Sequence, residues 1–327
     1  MEFFSLPARR LMLIAALIAA PNVCLAQQPY PARAIRLIVP FPPGGSVDPI
    51  ARMIGQKLTE SWGQQVIVDN RPGGNGVIGS ELLAKAPPDG HTLVHLGAST
   101  HAVNAVLLRN LPYDSVKDFA PVAAVQRSNY VLVVHPALPA ANLEQLIALA
   151  KSRPGEINYA SAGNGNLNHL AAELFNMMTG VKTHHVPYKG GGPALTDLVR
   201  GEVQMHFAVI VSALPHIRSA RLKPLAIGGE SRFATLPQVP TFTEAGLPGF
   251  DLRPWQGMLA PAATPRPIVE RLSSEIGRIV ALPDIREKLA GLGMEPLVTT
   301  PEQFAALLQA DMAKAAKVIK VANIRLD

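Results

Sequence analysis

Between Ile35 and Asp48 the chain reads IRLIVPFPPGGSVD, an apolar strand that passes through Pro-Pro-Gly-Gly-Ser into Asp48-Pro49 and an amphipathic helix. Asp48 is placed to cap that helix and Pro49 to be its first residue. Glycines at 44 and 45 let backbone N–H groups face a ligand, and a helix N-terminus adds partial positive charge. The chemistry that Pro42, Pro43, Gly44, Gly45, Ser46 and Asp48 can perform is capture of an anion such as a carboxylate. A tight strand-to-helix turn would need the same residues, and what favours binding is that the loop type recurs. Ser161–His169, SAGNGNLNH, again joins a strand to a helix, with Gly163 and Gly165 flanking Asn164 and with Asn166 placed as a cap. Two such helix starts can grip the two ends of a dicarboxylate. His169, in the first turn of that helix, is expected to be packed or hydrogen-bonded.

Two further loops carry polar side chains. Gly97–Asn104, GASTHAVN, follows a strand and brings Ser99, Thr100 and Asn104, all able to donate to oxygens. Val186–Pro193, VPYKGGGP, puts three glycines before a helix that starts at Pro193, and Tyr188 and Lys189 there serve a ligand or simply pack and meet solvent. Gly74–Gly79 matches G-x-G-x-x-G, but the next strand ends in Leu96-Gly97-Ala98 and not in the acidic residue that a dinucleotide needs. Those glycines are expected to shape a turn at the surface. His91 and His95 lie too far apart along a strand to share a metal, and His184-His185 have no nearby carboxylate pair. With no G-x-S-x-G elbow, H-E-x-x-H helix or lysine-serine pairing, the chain is not expected to be an enzyme and needs no cofactor or metal.

These loops must be held by regular elements. Strands are expected at Ile35–Phe41, Gln65–Asp69, His91–Leu96, Val131–His135, Asn158–Ser161, Val203–Ile210 and Pro224–Gly228. Helical spacing marks Pro49–Trp62, Val77–Lys85, Leu143–Lys151, Leu167–Met178, Leu195–Arg200, Ile268–Leu282, Pro283–Leu292 and Pro301–Lys320. Such alternation predicts an α/β fold of parallel or mostly parallel sheets with helices on both faces. Pro121–Tyr130 and Gly249–Trp255 are the candidate crossings between two lobes. The ligand would then sit in the cleft outside the carboxyl ends of the strands.

The first residues address the protein. Arg9-Arg10 precede the apolar run Leu11–Ala20, too short to span a bilayer, and cleavage is expected after Ala26. Cys24 is the only cysteine, and a lipoprotein anchor there is the lesser alternative because Pro21-Asn22-Val23 precede it. A mature chain without cysteine has no disulfide and depends on its hydrophobic core, for which 48 % hydrophobic residues suffice. Loss of the leader leaves 28 basic against 23 acidic residues, a charge of +5 that no Lys/Arg run concentrates. With aromatics at 5 % this excludes nucleic acid as a natural partner and suits a small anion.

Taken in order, these segments resemble the Bug-type solute-binding proteins of tripartite tricarboxylate transporters. The likeness runs from about Tyr30 to Val321 through IRLIVPFPPGGSVD, VIVDNRPGGNGVIGS, APPDGHTL, LPYDSVKDFAPVA, INYASAGNGNLNHLAAELF, HVPYKGGGPALTDL, SALPHI, LPQVPTFTEAGLPGF and WQGMLAPAATP. The resemblance implies a two-lobed Venus-flytrap receptor, type II-like, with two chain crossovers. Together with the leader and crossings read above, the chain is expected to divide into a signal peptide over 1–26, a first lobe from 27–126 and 254–327, and a second lobe from 127–253. It further implies a monomer that captures an aromatic or aliphatic mono- or dicarboxylate in the periplasm for a transporter's membrane subunits. An exported enzyme acting on an organic acid, or a sensor for a membrane kinase, are the alternatives. Carried onto this chain, the ligand loops are Pro42–Ser46 with Asp48, and Ser161, Ala162, Gly163 and Asn164. The loop of Ser99, Thr100 and Asn104, with Ala208 and Trp255, completes the pocket. The chain departs from the family where Phe-Asp-Asn is common, reading Phe207-Ala208-Val209, which would disfavour an amino-bearing ligand.

Overall fold

The computed structural model describes residues 30–44, 47–250, 253–322 and 324. The leader, Gly45 and Ser46 lie outside the described residues. In chain order the elements of the first stretch are β1 (Ile35–Val39), α1 (Asp48–Trp62), β2 (Val66–Asn70), α2 (Val77–Ala84), β3 (Thr92–Gly97), α3 (Asn104–Leu107) and β4 (Phe119–Ser128). The middle stretch holds β5 (Tyr130–Val134), α4 (Leu143–Ser152), β6 (Asn158–Ser161), α5 (Leu167–Thr179), β7 (His184–Pro187), α6 (Gly191–Arg200), β8 (Met205–Val209), α7 (Ile210–Arg218) and β9 (Lys223–Ile227). The last holds β10 (Trp255–Pro261), α8 (Arg266–Val280), α9 (Pro283–Gly291), β11 (Met294–Pro296) and α10 (Pro301–Val321).

The strands form two sheets, ordered β11-β4-β10-β3-β1-β2 and β7-β6-β8-β5-β9. β1 runs parallel to β2 and β3, and β6 parallel to β7 and β8. β10 and β11 are antiparallel to their neighbours, and β5 is antiparallel to both β8 and β9. The sheets are therefore mixed, not mostly parallel. The strands that carry the chain between lobes arrive from the opposite end, and only antiparallel pairing then satisfies their backbone.

The segment read from sequence as a crossing, Pro121–Tyr130, is mostly strand β4. Pro121 pairs with Leu259 beside a register shift, where a missing N–H is tolerated. The passage itself is a single residue, Asn129, between β4 and β5. The chain returns between β9 and β10, and the Ser128 N–H donates to the Pro254 carbonyl at 2.7 Å, so Asn129 and the end of the return lie close together.

Alternation along each strand feeds the core. Ile35, Leu37 and Val39 pack with Ile50, Ile54 and Leu58 of α1 and with Leu272 and Ile276 of α8. Ile38, Val94 and Leu259 of the first sheet share a continuous core with Leu132, Tyr159 and Phe207 of the second. The opposite face of β5 and β8 packs Val131, Val133 and Ala208 against Leu195 and Leu198 of α6 and Ala213 of α7.

Candidate functional site

A cleft of about 780 Å³ opens between the two sheets, within the range of small-ligand sites. Its walls are helix starts. Pro42, Pro43, Gly44 and Val47 precede or open α1; Ala98, Ser99 and Thr100 form the turn after β3. Ala162, Asn166 and Asn168 open α5, Gly191 and Gly192 open α6, and Val211 and Ser212 open α7. Four helices of nine or more residues thus direct their positive ends at one space. This follows from the strands ending there: a β-strand followed at once by a helix must turn at its carboxyl end.

The amide side chains of the lining are oriented by protein donors. Asn168 Oδ1 accepts from the Ala162 N–H at 3.1 Å, and Gln126 Oε1 accepts from Ser128 Oγ at 3.1 Å. His95 Nε2 lies 3.1 Å from Gln256 Oε1, whose oxygen is engaged by it. With their oxygens engaged, Asn168 and Gln126, which both line the cleft, keep NH₂ groups that are donors only and have no hydrogen-bond partner among the described residues. No Asp, Glu, Lys or Arg occurs among the described residues that line it. The described lining is thus free of ionised carboxylates, lysines and arginines, carries amide donors and is surrounded by helix N-termini.

The expected site residues divide into two sets. Pro42, Pro43, Gly44, Ser99, Thr100, Ala162, Ala208 and Trp255 come together on the cleft wall. Asp48, Asn104, Ser161, Gly163 and Asn164 stand behind it. Asp48 does not cap α1 from outside; it is the first helical residue, with Val47 before it. Its carboxylate accepts from the Gly44 N–H (3.1 Å), Arg52 Nε (3.0 Å) and Asn70 Nδ2 (2.9 Å), tying the Pro42–Gly44 loop to α1 and β2. Burial works to raise its pKa, but the bonds from Arg52, Asn70 and Gly44 win and hold the carboxyl below its ordinary range. Asp48→Ala should cost about 1–3 kcal/mol in chemical denaturation at pH 7. Because the folded pKa is depressed, this contribution is complete above about pH 4 and is lost as pH falls through the folded value. An unchanged denaturation midpoint would count against the assignment.

Asn104 is fully buried and exchanges bonds with Asn75, donating to its carbonyl at 3.0 Å and accepting from its Nδ2 at 2.9 Å. Asn75 has φ 54° and lines the cleft, so the Gly74–Gly79 turn belongs to the site wall and not merely to the outer surface. In the fourth loop, Gly191 and Gly192 reach the cleft, whereas Tyr188 and Lys189 are not among its lining.

Ser161 is fully buried at the end of β6, with Oγ 2.6 Å from His185 Nε2 and accepting from the Gly163 N–H at 3.1 Å. His185 stacks on His169 at 3.8 Å, and His169 Nδ1 accepts from the Gly165 N–H at 3.1 Å. A serine-histidine contact is the seed of nucleophilic chemistry, but this hydroxyl points into the protein and is absent from the cleft wall. The pair instead fastens the Ser161–Gly165 loop. Burial holds His169 down to about 3 and His185 down to about 4, so both rings are neutral props. The sequence gives little sign of the cluster, since His185 is 24 residues from Ser161 and meets it only because β7 pairs with β6.

Comparison with known proteins fits this geometry. Residues 50–324 match the family model described as tripartite tricarboxylate transporter family receptor. Protein BugT of Bordetella pertussis is 39 % identical over 310 residues, covering 94 % of each chain. R. palustris Rpa4515, solved with adipate, is 35 % identical with a TM-score of 0.79, covering 90 % of this chain and 99 % of that one. MatC from Rhodopseudomonas palustris, solved with bound malate, is 34 % identical with a TM-score of 0.73, covering 89 % of this chain and all (100 %) of that one. The chain therefore belongs to the tripartite tricarboxylate transporter receptor family, as a two-lobed solute-binding protein of the Bug type.

Proposed function

We propose that this protein is an exported receptor that captures a small organic carboxylate between its lobes and delivers it to the membrane subunits of a tripartite tricarboxylate-type transporter. The observation that carries this reading is the cleft itself: converging helix N-termini and NH₂ groups with no ionised side chain among the described lining residues. A carboxylate only accepts hydrogen bonds, so it matches a donor-lined wall, whereas a cation would find no counter-charge there. The adipate and malate of two relatives support the same class. The protein performs no chemistry on its ligand. It acts in the periplasm after cleavage behind Ala26, as a monomer that closes by a hinge at Asn129 and at the return from β9 to β10.

Thermal unfolding of the refolded, ligand-stripped protein against adipate, malate, benzoate and aliphatic acids tests this. A ligand at 100 times its Kd should add about 2.7 kcal/mol, a shift of several degrees. The decisive variant is Asn168→Asp. It keeps the oxygen that accepts from Ala162 but replaces the NH₂ by an anionic oxygen. Like charges about 4 Å apart repel by about 4 kcal/mol at an intermediate effective dielectric, so carboxylate affinity should drop at least about 100-fold. Undiminished binding of the responding acid by Asn168→Asp would refute this placement of the anion.

A further inference from the structure

Against the donor-lined wall one buried side chain offers the opposite character. His206 lies in β8 on the same face as Ala208, only 2 % exposed, and lines the cleft beside Leu195, Gly191 and Gly192. Its Nδ1 is 2.8 Å from the Ala160 carbonyl oxygen, its register partner across β6. A carbonyl only accepts, so Nδ1 carries the proton and Nε2 keeps its lone pair. Nε2 stands across the ring from that bond, away from the β6 backbone. Among the described residues it has no further hydrogen-bond partner, and it is not among the sealed, unpartnered atoms of the interior. The lone pair therefore opens to the cleft.

We infer that His206 Nε2 forms a hydroxyl subsite, so that the preferred ligand is a carboxylate carrying an O–H donor remote from the anionic group. This rests on the carboxylate reading and narrows it. A second carboxylate brings only lone pairs against the lone pair of Nε2, and an alkyl end leaves it unpaired. An ammonium group could donate, but with no acidic side chain among the described lining residues its desolvation is not repaid. A hydroxyl meets the ring nitrogen with a donor and no net charge. Burial holds the His206 imidazole down to about 4, so the acceptor persists at neutral pH.

Calorimetry on the refolded protein with two matched sets tests the inference: 6-hydroxyhexanoate, hexanoate and adipate, and 4-hydroxybenzoate with benzoate. The hydroxy acid of at least one set should bind about 10- to 100-fold tighter than its partners, because a buried acceptor left unpaired is what penalises the analogue. His206→Met replaces the imidazole nitrogen by a thioether, a far weaker acceptor on an otherwise apolar side chain, and should collapse that ratio toward unity. Equal binding within both sets overturns the inference and leaves the carboxylate reading standing. A preference that persists in His206→Met overturns the assignment to this residue. Binding of none of these acids, nor of malate, removes the carboxylate reading and the subsite with it. Should His206→Met fail to fold, nitrogen-15 spectra of the wild-type imidazole decide. The unprotonated Nε2 resonance must move upfield with the hydroxy acid and not with its deoxy partner, and an unmoved resonance refutes the contact.

Discussion

Between pH 7 and pH 5 the protein should lose about 8 kcal/mol of folding stability, carried by four buried histidines, each worth about 2 kcal/mol over that interval. His95, His101, His206 and His169 are 0 %, 1 %, 2 % and 6 % exposed. Burial pushes the first three down to about 4 and His169 down to about 3. The physical cause is desolvation: an imidazolium in these sites would lose its hydration and find no carboxylate. His95 faces Gln256, His101 packs edge-on against Phe119, His206 faces the Ala160 carbonyl and His169 stacks on His185. In the unfolded chain the same residues titrate near pH 6.5. As pH falls below that value the unfolded state takes up protons first. The stabilisation is thus complete above about pH 6.5 and drains away until pH reaches the folded values. A loss of this size is comparable to the whole stability of an ordinary domain, so the native state should fail between pH 4 and 5.5 or so. Urea unfolding at pH 7, 6 and 5 measures it. Equal unfolding free energies at pH 7 and 5 would rule the account out. His95→Gln, which keeps a donor for Gln256 but cannot titrate, should remove about a quarter of the pH dependence.

Trp255→Ala should lower stability by about 3–5 kcal/mol, a fall of roughly 10 °C in melting temperature. Trp255 is among the largest fully buried side chains, packs edge-on against Phe304 of α10 with centroids 5.0 Å apart, and donates its indole N–H to Asp311 Oδ2 at 2.6 Å. It opens β10 directly after the return passage, so it joins the first sheet, the C-terminal helix and the cleft at one point. Truncation leaves a cavity that β4 and β10 cannot fill without giving up their ladder. Trp255→Phe keeps most of the ring and forfeits the charge-assisted hydrogen bond, and should cost about 1.5–3 kcal/mol. Calorimetric melting of both variants gives the comparison. Trp255→Ala within about 1 kcal/mol of wild type would show the site collapsing freely and refute the anchoring role.

Much of the framework was legible because it is local. Helices such as α8, α9 and α10 announce themselves by apolar spacing and by prolines at their starts. The turns at Pro42–Gly44 and Ser161–Gly165 are written in glycine, proline and asparagine. β4 was not legible, because Ala-Pro-Val-Ala-Ala-Val has neither strand alternation nor a turn signal. It becomes a strand only by lying between β10 and β11. Nor did spacing mark His206, since its meaning depends on which ring nitrogen meets Ala160, 46 residues earlier.

What the sequence alone determined is the set of short-range choices. These are the helix periods, the strand-to-helix loops whose backbone can face an anion, and the ordered motifs that mark the family. Tertiary structure decided which loop residues line the cleft. It drew Asp48, Asn104 and Ser161 back as supports and brought Asn75, Asn168, Gln126 and His206 forward. The reason is that propensity and periodicity act within a few residues, whereas the direction of a donor or lone pair is set by partners across a sheet. Those partners adjoin only once β6 pairs with β8 and the two lobes share one core.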